Sequence, residues 1–286
     1  ARAPIAVGCR AWSRTRAAVA GADVVHVHEP FVPAVGLAAL TAGCPVVATF
    51  HADPSPWVRT VYRVGARLGR RLLGNAVSVA VSSVAASALR PIVEPVVVPN
   101  AIDVTAYAHT LERDRHRAVF VGRDDPRKGL DVVLEAWPLV RRRIPAAVLT
   151  VVGTMRQHAP PGVHYLGEVP EDRKRAELGT AAILCAPNTS GESFGLVLAE
   201  GMAAGCVVVA TALPAFAAVL GGTGVLVSRW DVEGFAEAVA DLMGDDGRRR
   251  RLAAAATVQV ERFERAAVVQ RYLGLYAEAR RRAKTG

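Results

Sequence analysis

The chain has 286 residues, 51% of them hydrophobic but only 6% aromatic, enough for two domains with a sizeable aliphatic core. No apolar stretch reaches the roughly 18 residues of a membrane-spanning helix, and no signal-peptide pattern is present. The net charge is +9, from 32 arginines and only three lysines (Lys128, Lys174 and Lys284), which suits anionic partners such as phosphates or acidic lipids; the aromatic-basic interleaving of RNA-binding proteins is lacking.

In chain order, apolar runs at 24–28, 45–50, 77–82 and 94–99 read as strands of a first block. Runs at 118–122, 148–153, 163–167, 183–187, 206–211 and 224–228 read as strands of a second. Continuous apolar runs of this length indicate strands covered on both faces, as in parallel sheets. Helical patterns lie between them, at 129–143 and 231–244 for example. The alternation predicts a doubly wound α/β architecture. The polar stretch 101–117 is the expected boundary. A final helix over about 265–284 presents Val268, Val269, Tyr272, Leu275 and Tyr276 as one docking face. The arginine runs 141–143, 248–251 and 280–282 read as solvated helix faces. Cys9, Cys44, Cys185 and Cys206 form no C-x-x-C pair and read as buried free thiols of a reducing compartment.

In open α/β sheets, ligands bind beyond the carboxyl ends of the strands. Four such places carry candidate chemistry. Arg123 and Lys128, in "GRDDPRKG", can converge on one diphosphate, the first as a fork and the second as a point charge; the plain alternative is a solubilising turn. "NTSGESFGLVLAEGMAAG" follows the strand at 183–187. A helix expected from near Phe194 to Gly205 turns the free amides of Ser193, Phe194, Gly195 and Leu196 toward an anion. Glu192 can accept from sugar hydroxyls and Glu200 can reach a ribose; a capping residue and a surface residue are the alternatives. In "GEVPEDRK", Val169, Glu171 and Lys174 can read a purine edge, or simply open a helix. His51 ends a strand and can hydrogen-bond a sugar hydroxyl. His26 and His28 share a strand face, but no third metal ligand has suitable spacing.

With these residues read, "HVHEP", "VVATFH", "VPNAID", "FVGRDDPRKG", "YLGEV" and the E-x7-E string Glu192–Glu200 resemble the retaining GT-B glycosyltransferases of family four, over roughly residues 20–280. Within that family the chain is most similar to the actinobacterial phosphatidylinositol α-mannosyltransferases. The resemblance implies two Rossmann-like domains facing a cleft: a partial acceptor-side domain over 1–108, a donor domain over 109–262, and a last helix, 263–286, packing back on the first. It implies GDP-mannose as donor, a phosphatidylinositol-type lipid as acceptor, and no metal held by a D-x-D motif. Arg123 and Lys128 match the diphosphate pair, Glu192 the carboxylate on the mannosyl hydroxyls, and Glu200 the ribose ligand. Phe194, Gly195 and Leu196 match the phosphate-facing helix start. Val169, Glu171 and Lys174 fall where that group contacts guanine, and His51 matches the active-site histidine. A cytoplasmic protein, peripheral on the inner face of the plasma membrane, is the implied setting.

Three departures qualify the match. Nothing before "GADVVHVHEP" corresponds to the family's opening strand and glycine-rich loop, so an N-terminally truncated enzyme is expected, and the chain opens on Ala1. The family's basic membrane-attachment helix would lie in the same absent part. "GRDDPRKG" is one residue short of the usual loop, and "FERAA" (263–267) replaces the usual aromatic motif. Two rivals stay open: a family-four enzyme using a UDP-sugar, and a non-catalytic nucleotide-sugar-binding remnant. An NAD-dependent oxidoreductase is disfavoured, because no G-x-G-x-x-G follows a strand.

Overall fold

The computed structural model describes residue 6, residues 8–107 and residues 112–285. The chain forms two compact units, one of residues up to Asn100 together with those from Ala266 onward, the other Ala101–Arg265. The boundary expected between residues 108 and 109 lies outside the described residues.

The first unit runs α1 (Cys9–Val19), β1 (Val25–His28), α2 (Val35–Leu40), β2 (Val46–Phe50), α3 (Pro56–Val64), α4 (Ala66–Leu73), β3 (Val77–Ala80), α5 (Ser83–Leu89) and β4 (Val96–Val97). Its four strands form a parallel sheet in the order β1-β2-β3-β4. The run expected as a strand over 94–99 shrinks to two exposed residues, as suits an edge strand.

The second unit runs β5 (Asp114–Val121), α6 (Leu130–Arg143), β6 (Val148–Val152), β7 (Val163–Gly167), α7 (Glu171–Thr180), β8 (Ala181–Ala186), α8 (Leu196–Ala203), β9 (Val207–Thr211), α9 (Pro214–Leu220), β10 (Val225–Val227), α10 (Val232–Gly244) and α11 (Asp246–Val260). Its six strands are all parallel, in the order β10-β9-β8-β5-β6-β7. The chain winds one way from β5 and the other way from β8, so the topological switch lies between these neighbours. β8 and β9 are buried at every position, which is why their sequences read as unbroken apolar runs. On one sheet face α6 and α10 bury Trp137, Val133, Val140, Phe235 and Val239 against Phe120, Leu149 and Ile183.

The last helix, α12 (Arg265–Thr285), packs Val268, Leu275 and Ala279 with Val47, Val77, Val79 and Val98 of the first unit, with Tyr272 and Tyr276 beside them. Val269, expected on that face, is exposed; one step along a helix turns a side chain by about 100° and carries it off the seam. Arg249 is also corrected. Within the run expected to be solvated it is buried, donating to the Leu242 carbonyl at 2.8 Å and pairing with Asp246. Of the thiols, Cys185 and Cys206 are buried, Cys44 is half-buried and Cys9 is exposed.

One backbone approach fixes the loop after β5. Gly129 has φ +71°, and a Cβ there would stand 2.1 Å from the Pro187 carbonyl oxygen at the end of β8. Gly129→Ala is expected to cost at least ~2 kcal/mol of stability, because a left-handed backbone and a clash with a main-chain atom act together. Urea denaturation of the two proteins measures it.

Candidate functional site

The loops that follow β5 and β8 leave the sheet at the switch point, where doubly wound sheets bind ligands. The first loop turns through a 3-10 segment at Pro126–Lys128, with Asp125 capping it by accepting from the Arg127 amide at 3.0 Å. Burial plays little part there, and the Arg127 guanidinium and amide hold the Asp125 carboxyl at a pKa of about 2. The second loop is bound to the first: the Thr189 amide donates to the Arg127 carbonyl at 2.8 Å. The Lys128 ammonium meets Glu192 Oε1 at 2.5 Å, and the buried Asn188 amide donates to the same oxygen at 2.7 Å. This turn carries Lys128 to Glu192. Arg123 is exposed; its carbonyl accepts from the Asp125 amide at 2.8 Å, while its guanidinium makes no hydrogen bond or ion pair among the described residues. Arg156 is committed instead to Asp124 and Asp131, both at 2.6 Å.

The helix expected to begin near Phe194 begins at Leu196. Gly195 has φ +96°, which cannot continue a right-handed helix, and a Cβ there would stand 2.8 Å from the Phe216 ring. Phe194 is buried edge-on against Phe263 at 5.2 Å. The free amides at the start of α8 thus include those of Leu196 and Val197, because the helix starts two residues later than expected; of the four amides Ser193 to Leu196, only that of Leu196 belongs to the helix. Ser193 is half-buried in the preceding loop and Leu196 is exposed. The helix ends as expected at a left-handed glycine, Gly205 (φ +81°).

A second cluster lies on the same unit. Lys174, on α7, bridges Glu171 Oε1 at 2.9 Å and Glu200 Oε1 at 3.0 Å. Burial alone would lower the Lys174 pKa, but the two carboxylates outweigh it and the net shift is upward. Burial would likewise raise the Glu171 pKa, yet Lys174 holds it below its ordinary value. The Tyr107 hydroxyl donates to Glu171 at 3.2 Å, and burial together with Glu200 and Glu171 pushes its own pKa up. Val169 lies two residues ahead of α7, half-buried in the turn after β7. Two places that the sequence presents separately, Glu171/Lys174 and Glu200, are therefore in contact. Tyr107 and Asn188 were not among the expected site residues, although Asn188 opens the string "NTSGESFGLVLAEGMAAG"; their proximity in the folded chain reveals their contacts.

On the first unit, β1 alternates buried valines with His26 and His28 on its other face. His26 Nε2 is 2.8 Å from the Thr49 hydroxyl and its Nδ1 is 2.9 Å from the Tyr276 hydroxyl. His28 Nδ1 is 2.7 Å from His51 Nε2. Glu29 accepts from the backbone amides of His51 and Ala52 at 2.7 and 2.8 Å, and holds a positive φ of 51° to do so. Burial, then His28, lowers the His51 pKa against the opposing pull of Glu29 and Asn100. Burial, then His28 and His51, lowers that of His26 to about 4. Among the described residues no group of three or more His, Cys, Asp or Glu is placed to hold a metal ion.

Fold and site together define a class. The Anabaena protein Alr3699/HepE, solved in complex with UDP, superposes with a TM-score of 0.78 over 92% of this chain and 80% of its own, at 19% identity, and the two parallel-sheet units are those of the GT-B architecture. Residues 115–245 match the family described as Glycosyl transferases group 1, and residues 2–106 match Glycosyltransferase Family 4. The phosphatidyl-myo-inositol mannosyltransferase of Mycolicibacterium smegmatis is 34% identical over 272 residues, 89% of this chain and 70% of its own length. That of Mycobacterium tuberculosis is 35% identical over 276 residues, covering 89% and 73%. The chain belongs to glycosyltransferase family 4.

The histidine face generates a pH dependence. The unfolded chain protonates His26 near pH 6.5, whereas the folded chain does so only near 4. Unfolding therefore takes up a proton between these values, and stability contributed by neutral His26 is lost as pH falls through that window. Melting temperature is expected to drop on acidification from neutral pH into that range, and to drop less in His26→Gln; thermal unfolding followed by circular dichroism measures both.

Proposed function

We propose that this glycosyltransferase moves mannose, with retention, from GDP-mannose to a phosphatidylinositol-type lipid. The observation that carries the reading is the cluster at the β5–β8 switch: an unpaired Arg123, Lys128 held against Glu192, and a glycine-led helix start beside them. Arg123, Lys128 and the α8 amides are assigned to the diphosphate, whose developing negative charge they stabilise as the glycosidic bond breaks. Ser193, Phe194, Gly195 and Leu196 form the wall of that phosphate site. Glu192 is assigned to the mannosyl hydroxyls and Glu200 to the ribose. Glu171, Lys174 and the backbone at Val169 are assigned to the guanine edge, and His51 to a sugar hydroxyl, where its neutral imidazole can donate or accept. In a front-face substitution the acceptor hydroxyl attacks the anomeric carbon and the GDP oxygen departs on the same side. The leaving diphosphate takes the acceptor's proton, so the protein supplies positioning and charge rather than a nucleophile. The names of the mycobacterial relatives support mannose and an inositol lipid.

In the free protein Lys128 is neutralised by Glu192. Donor binding is expected to redirect the lysine to phosphate and free the carboxylate for the sugar. Lys128→Ala and Glu192→Ala are each expected to lower the transfer rate by about 10²–10³-fold with unchanged far-ultraviolet circular dichroism; undiminished turnover in either would remove the assigned site. Calorimetric titration with GDP-mannose, UDP-glucose and UDP-N-acetylglucosamine is expected to show binding of the first alone. Selectivity for a UDP-sugar would transfer the chain to another branch of the family, and silence with all three would favour a non-catalytic protein.

A further inference from the structure

Two consecutive residues at the end of β1, His28 and Glu29, both reach His51. Adjacent strand residues ordinarily point to opposite sheet faces. The register of β1 on β2 sets His28 beside Thr49, and His51, two residues further along, falls on the same face. Glu29 reaches it as well because its left-handed φ of 51° breaks the alternation. The Glu29 amide still donates to the Thr49 carbonyl at 2.8 Å, so the ladder is kept up to the kink. A residue other than glycine holds such a backbone only where its surroundings impose it, and these residues gather at functional sites.

The two contacts divide the work. Glu29 Oε1 accepts from the amides of His51 and Ala52 at 2.7 and 2.8 Å, which fixes the main chain. That bond leaves the imidazole free to turn about its side-chain torsions. His28 Nδ1, 2.7 Å from His51 Nε2, removes this freedom. The same contact couples the tautomers, since two neutral imidazoles that meet through nitrogen share one proton. Either His28 donates from Nδ1 and His51 keeps its own proton on Nδ1, or His51 donates from Nε2 and His28 keeps its own on Nε2. His28 is exposed and its Nε2 has no partner among the described residues, so it can follow either choice. The groups that face the His51 ring are His28, Glu29 and Asn100. His26, stacked on His28 at 4.4 Å, turns instead to Thr49 and to Tyr276 of α12.

We propose that His28 is a positioning residue for the transfer reaction, holding the His51 imidazole in one orientation and one tautomer while Glu29 holds the main chain beneath it. The inference rests on the assignment of His51 to a sugar hydroxyl. A ring free to turn offers the right nitrogen to that hydroxyl only part of the time, and a clamped ring offers it throughout. His28 touches no substrate and acts through His51.

The test compares His28→Ala, His28→Asn and His28→Gln in transfer from GDP-mannose to phosphatidylinositol. An asparagine amide nitrogen stands where histidine carries Nδ1, and a glutamine amide nitrogen where it carries Nε2, so only asparagine restores the contact. His28→Ala and His28→Gln are expected to lower kcat at least about tenfold with the KM for GDP-mannose changed less than about twofold, and His28→Asn to recover to within about threefold of the unsubstituted chain. Melting temperatures should agree, His28 being exposed. Proton–nitrogen correlation spectra of histidine-labelled protein give a readout apart from turnover. His51 should show a single tautomer in the unsubstituted and His28→Asn proteins and a mixture in His28→Ala. Its pKa should also rise in His28→Ala, since the neighbouring ring lowers it. Undiminished kcat in His28→Ala, an asparagine variant as slow as the alanine one, or a His51 spectrum that His28→Ala leaves unmoved overturns the proposal. His51→Ala separates the readings. If it slows transfer while His28→Ala does not, the clamp alone fails; if it leaves transfer undiminished, the assignment of His51 fails and the clamp with it.

Discussion

The carbonyl of Pro187 passes so close to Gly129 that no side chain fits between them. This approach brings the ends of two adjacent parallel strands to a common edge and locks the loops leaving them. The Thr189–Arg127 hydrogen bond then sets their register, and the ion pair between Lys128 and Glu192 closes the gap. The site depends on this seam more than on any one charged group. Side chains on two separate loops hold a geometry only when the main chains beneath them are fixed. The six-stranded sheet provides the frame, because strands buried on both faces have little freedom to shift.

The two units solve opposite electrostatic problems. In the second, charge is concentrated and internally paired: Lys128 with Glu192, Lys174 with Glu171 and Glu200, Arg156 with Asp124 and Asp131. An anionic ligand entering such a site exchanges partners rather than entering an uncompensated field, which limits the desolvation it must overcome. In the first unit, His26, His28 and His51 stack on one face with ring centroids 4.4 and 4.9 Å apart. Burial and the neighbouring rings lower the pKa of His26 and of His51, which favours their neutral forms as two-sided hydrogen-bonding groups.

Much of the architecture was legible because its signals are local. Each of the ten apolar runs corresponds to a strand, and burial on both faces leaves that mark in any parallel sheet. Strand ends were less legible. The polar extension of β5 back to Asp114 pairs with β8 only across an irregularity in register, which no periodicity announces. The start of α8 was misplaced because Phe194 reads as the first apolar residue of a helix, whereas its burial against Phe263 depends on a residue 69 positions away. Candidate residues flagged by position after a strand did converge, Lys128 with Glu192 and Lys174 with Glu200. Their partners were not singled out: Asn188 stands inside the quoted string without an assigned role, and Tyr107 lies outside every quoted string, since a role that comes from tertiary contact leaves no mark in type or spacing. Arg249 shows the same limit: four consecutive arginines look alike until the helix turns one of them inward.

The assignment of α12 to the first unit has a consequence in time. Val47, Val77, Val79 and Val98 wait for Val268, Leu275 and Ala279 to cover them. Those residues are synthesised after the whole of the second unit. As the chain leaves the ribosome, the later unit holds all of its strands and helices before the earlier one can close. The order of synthesis and the order of completion are therefore reversed, and for that interval the nascent chain carries an uncovered valine sheet that a chaperone, or a neighbouring chain, can find.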